Sequence, residues 1–324
     1  MKETLRDYWR LVRGGNLCFL GVLMWTMTYW VAEPVLRMYR FTDLIPWWLW
    51  LLITLATVLI AAGGYVVNDY FDVKIDRINR PDRLVVTRTV SKDAAMRLFY
   101  VLTGLGVACG MGAAWVVRSS SLAIIFALVP GLLWFYSASY KRMLIVGNLI
   151  VAFLSALPPI VIALAETSWL TKIYGADMLR YMPIGQSLFA WLGGFAMFAF
   201  LCTWIREMVK DLQDQNGDRE LECHTMPIVW GETVTKVFAT CLIVLTACLI
   251  AYLHWGGVMP FATNWHSVAT RYIVFGLYLP MACEIALLWS AKIDTDYRSA
   301  QGLMKFIMFI GTLFSYVITQ QLAS

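Results

Sequence analysis

Two short stretches of this sequence carry carboxylates at one shared spacing. Asn68-Asp69-Tyr70-Phe71-Asp72-Val73-Lys74-Ile75-Asp76-Arg77 and Asp211-Leu212-Gln213-Asp214-Gln215-Asn216-Gly217-Asp218-Arg219 both read D-x-x-D-x-x-x-D-R. On a helix, Asp69, Asp72 and Asp76 fall on one face, as do Asn68, Asp72 and Asp76. Asp211, Asp214 and Asp218 repeat the first pattern, with Glu207 one turn earlier. Such faces suit Mg2+, which prefers oxygen ligands and takes one or two carboxylates, several waters and substrate phosphate oxygens. Two of them would hold Mg2+ on either side of a diphosphate and neutralise the charge that develops as it leaves. Asn68, Asp69, Asp72, Asp76, Asp211, Asp214 and Asp218 are the candidate metal-holding residues, and turnover is expected to depend on Asp72 and Asp211. Solvated helix ends explain one cluster, but not two with the same spacing. An EF-hand at the second cluster fails, because its first ligand would be Leu212 and its bidentate Glu position Cys223.

Basic residues accompany the acids. Arg77, Arg80 and Arg83 follow the first cluster, Lys141 and Arg142 close the run from Tyr136, and Arg206 and Lys210 precede the second cluster. Cations beside diphosphate oxygens aid binding and departure of the leaving group. Lys141, Arg142, Arg80, Arg83 and Lys210 are therefore candidate diphosphate-binding residues. His224 follows the second cluster, but a lone histidine is a weak candidate ligand, and His254 and His266 are expected on the other side of the membrane. Glu284 falls inside an apolar run, where it is expensive without a partner; a structural hydrogen bond is the preferred reason for it, and a catalytic base the alternative. No P-loop, G-x-G-x-x-G or G-x-S-x-G pattern occurs.

The elements that must position these groups are membrane helices. The chain is 60% apolar and 15% charged, with a mean hydropathy of +0.66. Its apolar runs are continuous rather than alternating, which argues for an all-α polytopic membrane protein and against strands. Nine spans are expected, at roughly 15–35, 47–70, 95–117, 121–140, 146–165, 187–209, 234–254, 270–292 and 302–322. With the N-terminus in the cytoplasm, roughly 20 of the 26 lysines and arginines fall on the cytoplasmic side. Both Asp motifs then lie at the cytoplasmic face. The bias does not say of which membrane; the cell (inner) membrane of a prokaryote is the expected one. The net charge of +5 follows from this bias and from attraction to anionic lipid, and calls for no nucleic acid.

The whole of 1–324 is expected to be one integral membrane domain. The charged start, Met1 to Arg13, precedes an apolar run long enough to span, so no cleaved signal is expected. Trp47, Trp48 and Trp50 suggest an interfacial belt. The segment 166–186 suits either a short interfacial helix or a loop. Seven cysteines without a C-x-x-C pair suggest neither disulfides nor zinc; most are expected to be small buried residues.

Four blocks resemble the UbiA-type intramembrane prenyltransferases. Arg13-Gly14-Gly15-Asn16 is similar to that family's R-x-x-N. Asn68 to Asp76, continuing to Asn79-Arg80-Pro81-Asp82-Arg83, is similar to its first Asp motif. Tyr136 to Arg142 with Gly147-Asn148 resembles its Y-S-x-x-x-K-R…G-N block. Arg206 to Asp218, ending at Thr225-Met226-Pro227, resembles its second Asp motif. The chain departs from the family in the stretch after R-P-D-R and in having Thr-Met-Pro for Thr-Leu-Pro.

The resemblance implies a prenyltransferase in which Mg2+, held by Asn68, Asp72, Asp211 and their neighbours, binds an isoprenyl diphosphate. Asn16 would join the diphosphate-binding residues, and Tyr136 would shield the allylic cation. The partners implied are an isoprenyl diphosphate, a lipophilic acceptor and membrane lipid, with no obligate protein partner. The motifs look most like the branch that builds archaeal-type ether lipid, which would make the acceptor a glycerol-phosphate lipid alcohol, with Arg13, Lys141 or Arg142 at its phosphate. A phenolic acceptor such as 4-hydroxybenzoate is the alternative. An ion-coupled transporter is the rival from another class; it predicts acids at mid-membrane on broken helices rather than clustered at one interface.

Overall fold

The computed structural model describes residues 4–79 and 84–322. In chain order its helices are α1 (Leu5–Leu11), α2 (Gly14–Met38), α3 (Trp47–Phe71), α4 (Val73–Asn79), α5 (Lys92–Val117), α6 (Ser120–Ala138), α7 (Val146–Tyr174), α8 (Ala176–Tyr181), α9 (Ile184–Glu220), α10 (Met226–Val229), α11 (Glu232–Trp255), α12 (Val268–Ser290) and α13 (Asp294–Leu322). Among the described residues the one extended pairing is an isolated bridge between Val86 and Val90. Nine of the helices (α2, α3, α5, α6, α7, α9, α11, α12 and α13) are long and apolar enough to cross a membrane. The protein is an all-α, multi-pass integral membrane protein, as its hydropathy predicts.

Several helices outrun their apolar stretches. α9 has 37 residues, about 55 Å at 1.5 Å per residue, against a hydrocarbon core of about 30 Å. Apolarity ends near residue 209, but no proline follows before Glu220 and Gly217 is accommodated within the helix, so the helix carries its Asp motif onward. α7 likewise continues to Tyr174 through Trp169 and Leu170. Gly175, at φ 84°, ends it, and only α8 is a separate short helix.

The chain forms two compact units. One comprises the residues up to Lys141 together with Pro158–Leu192, and the other Arg142–Leu157 together with Gly193 onward. In the first unit, Leu11, Val66, Val67, Val86 and Phe99 form a buried core beside the first Asp motif. Close approach is made by small residues, as is usual between helices in lipid. A Cβ on Gly106 of α5 would lie 2.8 Å from Ile60 Cγ1 and 3.0 Å from the Ile60 backbone nitrogen of α3. Trp47 and Trp48 open α3 and are exposed, which suits the interfacial belt.

In the second unit, Ile205, Met208, Ile243, Met281, Leu288 and Ile307 build the core. A Cβ on Gly311 would fall 2.1 Å from the Phe198 ring. The cysteines differ from expectation. All seven are free thiols, but only Cys202 and Cys223 are buried, while Cys18, Cys241, Cys248 and Cys283 are exposed. In a membrane protein the outward face of a spanning helix is itself apolar, so a small apolar residue need not be interior.

Candidate active site

In the first unit α3 ends at Phe71, and Asp72 caps it with φ −83° and ψ 0°. The amides of Asp72 and Asp76 donate to the carbonyls of Asn68 (2.9 Å) and Asp72 (2.8 Å). The helical bonding pattern thus runs through the junction into α4, and Asn68, Asp72 and Asp76 keep the stacking that the spacing predicts. Asn68 Nδ2 donates to Asp72 Oδ2 at 2.8 Å. Lys141, from the single turn Tyr140–Arg142 after α6, pairs with Asp72 Oδ1. Donors therefore engage both oxygens of Asp72.

Asp69 meets a different cation. Arg13 donates to its Oδ1 at 3.0 Å. Arg13 sits between α1 and α2 in the left-handed region, at φ 53° and ψ 52°, a conformation that costs a side-chain-bearing residue about 1–2 kcal/mol. Its guanidinium lies 4.8 Å from the Tyr65 ring centroid, and Asn16 Nδ2 donates to the Tyr65 hydroxyl at 3.4 Å. Burial disfavours the Arg13 charge, but Asp69, Tyr65 and Asp72 together outweigh it and hold the arginine pKa above its ordinary value. Arg13, Asn16, Tyr65 and Asp69 thus form one cluster. Asp76 is half-buried, and Arg77 Nη2 lies 3.5 Å from Thr87 Oγ1. Arg80 and Arg83 lie outside the described residues.

α9 is unbroken from Ile184 to Glu220 and belongs to the second unit from Gly193 onward, so Asp211, Asp214 and Asp218 share one helix at the predicted spacing. Asn148 Nδ2, from the start of α7, donates to Asp211 Oδ2 at 2.9 Å. Asp214 is half-buried. Asp218 is 6% exposed and accepts from Thr225 Oγ1 at 3.2 Å, so Thr225-Met226-Pro227 folds back onto the motif's last carboxylate. Glu207, 4% exposed, takes Arg206 at 2.5 Å and Lys210 at 3.4 Å. The Arg142 carbonyl accepts the His224 amide at 2.9 Å.

The remaining candidates divide. Tyr136 is half-buried in the last turn of α6. His254 is buried, with Nε2 2.8 Å from Thr270 Oγ1, which suits a structural role. Glu284 is fully buried, and the expected structural hydrogen bond is missing: among the described residues neither carboxylate oxygen has a hydrogen-bond partner. It shares a helical face with Met281 and Leu288, both core residues, which offer no donor.

Sequence reasoning missed Asn148, Tyr65 and Thr225 as contributors. Asn148 and Thr225 stand within the blocks that carry the family resemblance, but their partners lie 63 and 7 residues away and spacing does not reveal them.

The donor set fits Mg2+. Its groups are carboxylate and amide oxygens. Among the described residues no three His, Cys, Asp or Glu side chains converge as a metal cage.

The sequence pattern of the UbiA prenyltransferase family matches residues 18–313. A digeranylgeranylglyceryl phosphate synthase from Methanopyrus kandleri is 32% identical over 258 residues, 79% of this chain and 82% of that protein. A solved structure concerned with digeranylgeranylglyceryl phosphate synthase in membranes aligns at a TM-score of 0.63 and 23% identity, covering 98% of this chain and 99% of that one. A UbiA homologue from Archaeoglobus fulgidus bound to DMAPP and Mg2+ aligns at 0.58 and 16% identity, covering 97% and 99%. The two structures speak for the fold, and the family match together with the Methanopyrus relative speaks for the chemistry: this chain is a membrane enzyme of the UbiA prenyltransferase family.

Proposed function

We propose that the chain transfers an isoprenyl group from an allylic diphosphate to a lipophilic acceptor within the membrane, with Mg2+ as cofactor. The group is geranylgeranyl and the acceptor a glycerol-phosphate lipid alcohol. The observation that carries this reading is one device used at both motifs. A side-chain amide fixes a carboxylate, Asn68 on Asp72 at 2.8 Å and Asn148 on Asp211 at 2.9 Å. The name of the Methanopyrus relative supports the acceptor, and the DMAPP and Mg2+ bound to the Archaeoglobus neighbour support donor and metal.

Asn68 and Asp72 of the first motif, and Asp211 of the second, would hold metal, with Asp69 and Asp76, and Asp214 and Asp218, shaping the two carboxylate faces. Held there, Mg2+ would supply neutralisation of the charge that develops on the diphosphate. Lys141, Arg142, Arg80, Arg83, Lys210 and Asn16 take diphosphate oxygens. The allylic carbon–oxygen bond breaks, and its electron pair leaves with the diphosphate. The Tyr136 ring shields the cation, the acceptor hydroxyl oxygen attacks the allylic carbon, and its proton passes to the departing diphosphate. Apolar helices keep water from quenching the cation. Residues 1–324 act as one prenyltransferase domain, with the N-terminus and both motifs at the cytoplasmic face of a prokaryotic cell membrane, in keeping with the lysine and arginine bias.

The test is acceptor choice. Purified protein receives geranylgeranyl diphosphate and Mg2+ with either geranylgeranylglyceryl phosphate or 4-hydroxybenzoate, and the prenylated product is identified by mass. The ether lipid alone is expected. A prenylated benzoate alone would assign the enzyme to the aromatic branch.

A further inference from the structure

Asp72 is a carboxylate with both oxygens taken. Lys141 pairs with Oδ1, and Asn68 Nδ2 donates to Oδ2 at 2.8 Å. The Lys141 and Asp72 side chains are 12% and 15% exposed, so water screens their attraction far less than at an open surface. A divalent ion that binds Asp72 alone must separate this pair and leave an ammonium beside a second cation in a site with little water. That is unfavourable. An ion that arrives with a diphosphate meets no such penalty, because the phosphate oxygens offer the ammonium a new anionic partner.

We propose that Lys141 is an exchangeable counter-ion of Asp72, so that metal and diphosphate bind the first motif together rather than one after the other. In the free enzyme the ammonium competes with the metal for Oδ1. When a diphosphate enters, Lys141 moves to a phosphate oxygen and releases Oδ1 to the ion that the diphosphate shares. After transfer the steps reverse: loss of diphosphate returns Lys141 to Asp72 and loosens the metal. Diphosphate and metal therefore leave as a coupled pair, which empties the site for the next prenyl donor. Lys141 acts as a positioning residue for the metal as well as a ligand of the diphosphate. The inference rests on the reading of Asp72 as a metal holder.

The test reads metal binding directly. Purified full-length protein in detergent is titrated with Mn2+, followed by its electron paramagnetic resonance signal, with and without inorganic pyrophosphate. Free Mn2+ is corrected for the Mn2+–pyrophosphate complex. Coupling between two ligands is commonly about 5- to 150-fold, and pyrophosphate is expected to tighten Mn2+ binding to the wild type at least about fivefold. Lys141→Met is expected to bind Mn2+ alone more tightly than the wild type by a similar factor and to lose most of the coupling. Lys141→Arg is expected to retain it.

Wild-type protein without coupling would overturn the proposal, and that measurement needs no variant to fold. Lys141→Met with wild-type Mn2+ affinity in the absence of pyrophosphate would also overturn it. If Mn2+ binds in neither condition, the reading of Asp72 as a metal holder fails and this proposal falls with it. If Mn2+ and pyrophosphate both bind without coupling, only this proposal falls.

Discussion

Asn148 donates its side-chain amide to Asp211 at 2.9 Å across 63 positions of sequence. The contact joins the start of α7 to the second Asp motif and fixes one oxygen of that carboxylate. Loss of a group that orients a metal ligand typically costs about 10–100-fold in metal affinity or activity. Asn148→Leu is therefore expected to raise the Mg2+ concentration needed for half-maximal turnover by about that factor, with little change in melting temperature. An unchanged Mg2+ titration would remove Asn148 from the site.

Thr225 holds the end of the second motif through its hydroxyl, 3.2 Å from the buried Asp218 carboxylate. Thr225→Val keeps the shape but removes the donor. A buried acceptor that loses a partner costs about 1–3 kcal/mol. Thermal unfolding in detergent is expected to show that loss for Thr225→Val and a smaller one for Thr225→Ser. Equal losses in both would mean that packing of the methyl group, not the hydrogen bond, is what matters.

Two glycines of α5 separate close approach from helix propensity. A Cβ at Gly106 meets the Ile60 backbone nitrogen at 3.0 Å, whereas one at Gly104 meets nothing within 4 Å. Overpacking typically costs about 1–3 kcal/mol, while Gly to Ala in an open helix gains about 0.5–1 kcal/mol. Gly106→Ala is expected to lower the melting temperature and Gly104→Ala to raise or preserve it. Comparable effects of one sign would argue against tight packing of α3 on α5.

Glu284 is fully buried, and among the described residues neither of its oxygens has a hydrogen-bond partner. A carboxyl group without a compensating hydrogen bond is costly to bury, and an apolar residue of similar volume in its place is often stabilising. Glu284→Leu is expected to raise the melting temperature and leave turnover intact. A loss of turnover without a loss of stability would give Glu284 a part in the chemistry.

The membrane architecture was legible because continuous apolar runs leave few alternatives, and all nine spans appear where hydropathy puts them. Helix ends were less legible. Apolarity reports where lipid ends and not where hydrogen bonding ends, so α9 continues past residue 209 to Glu220. The types and spacing of the site residues were readable for a similar reason: helical periodicity is local. Which cation meets which acid was not. Arg13 reaches Asp69 from 56 residues away, and Lys141 reaches Asp72 from 69. Only a local pair follows from spacing: Lys210 meets Glu207, one turn earlier on α9, at 3.4 Å. Glu284 went astray because its cost in a membrane predicts a partner, and its neighbours Met281 and Leu288 supply none.

The central claim is that Asp72 and Asp211 carry a metal-dependent departure of diphosphate. The direct measurement is pyrophosphate release from geranylgeranyl diphosphate by purified wild type, Asp72→Ala and Asp211→Ala, in the presence of geranylgeranylglyceryl phosphate. Release by the wild type is predicted to stop with EDTA and return with Mg2+, while both variants stay folded and release none. Wild-type rates in either variant, or release that persists in EDTA, would contradict the account.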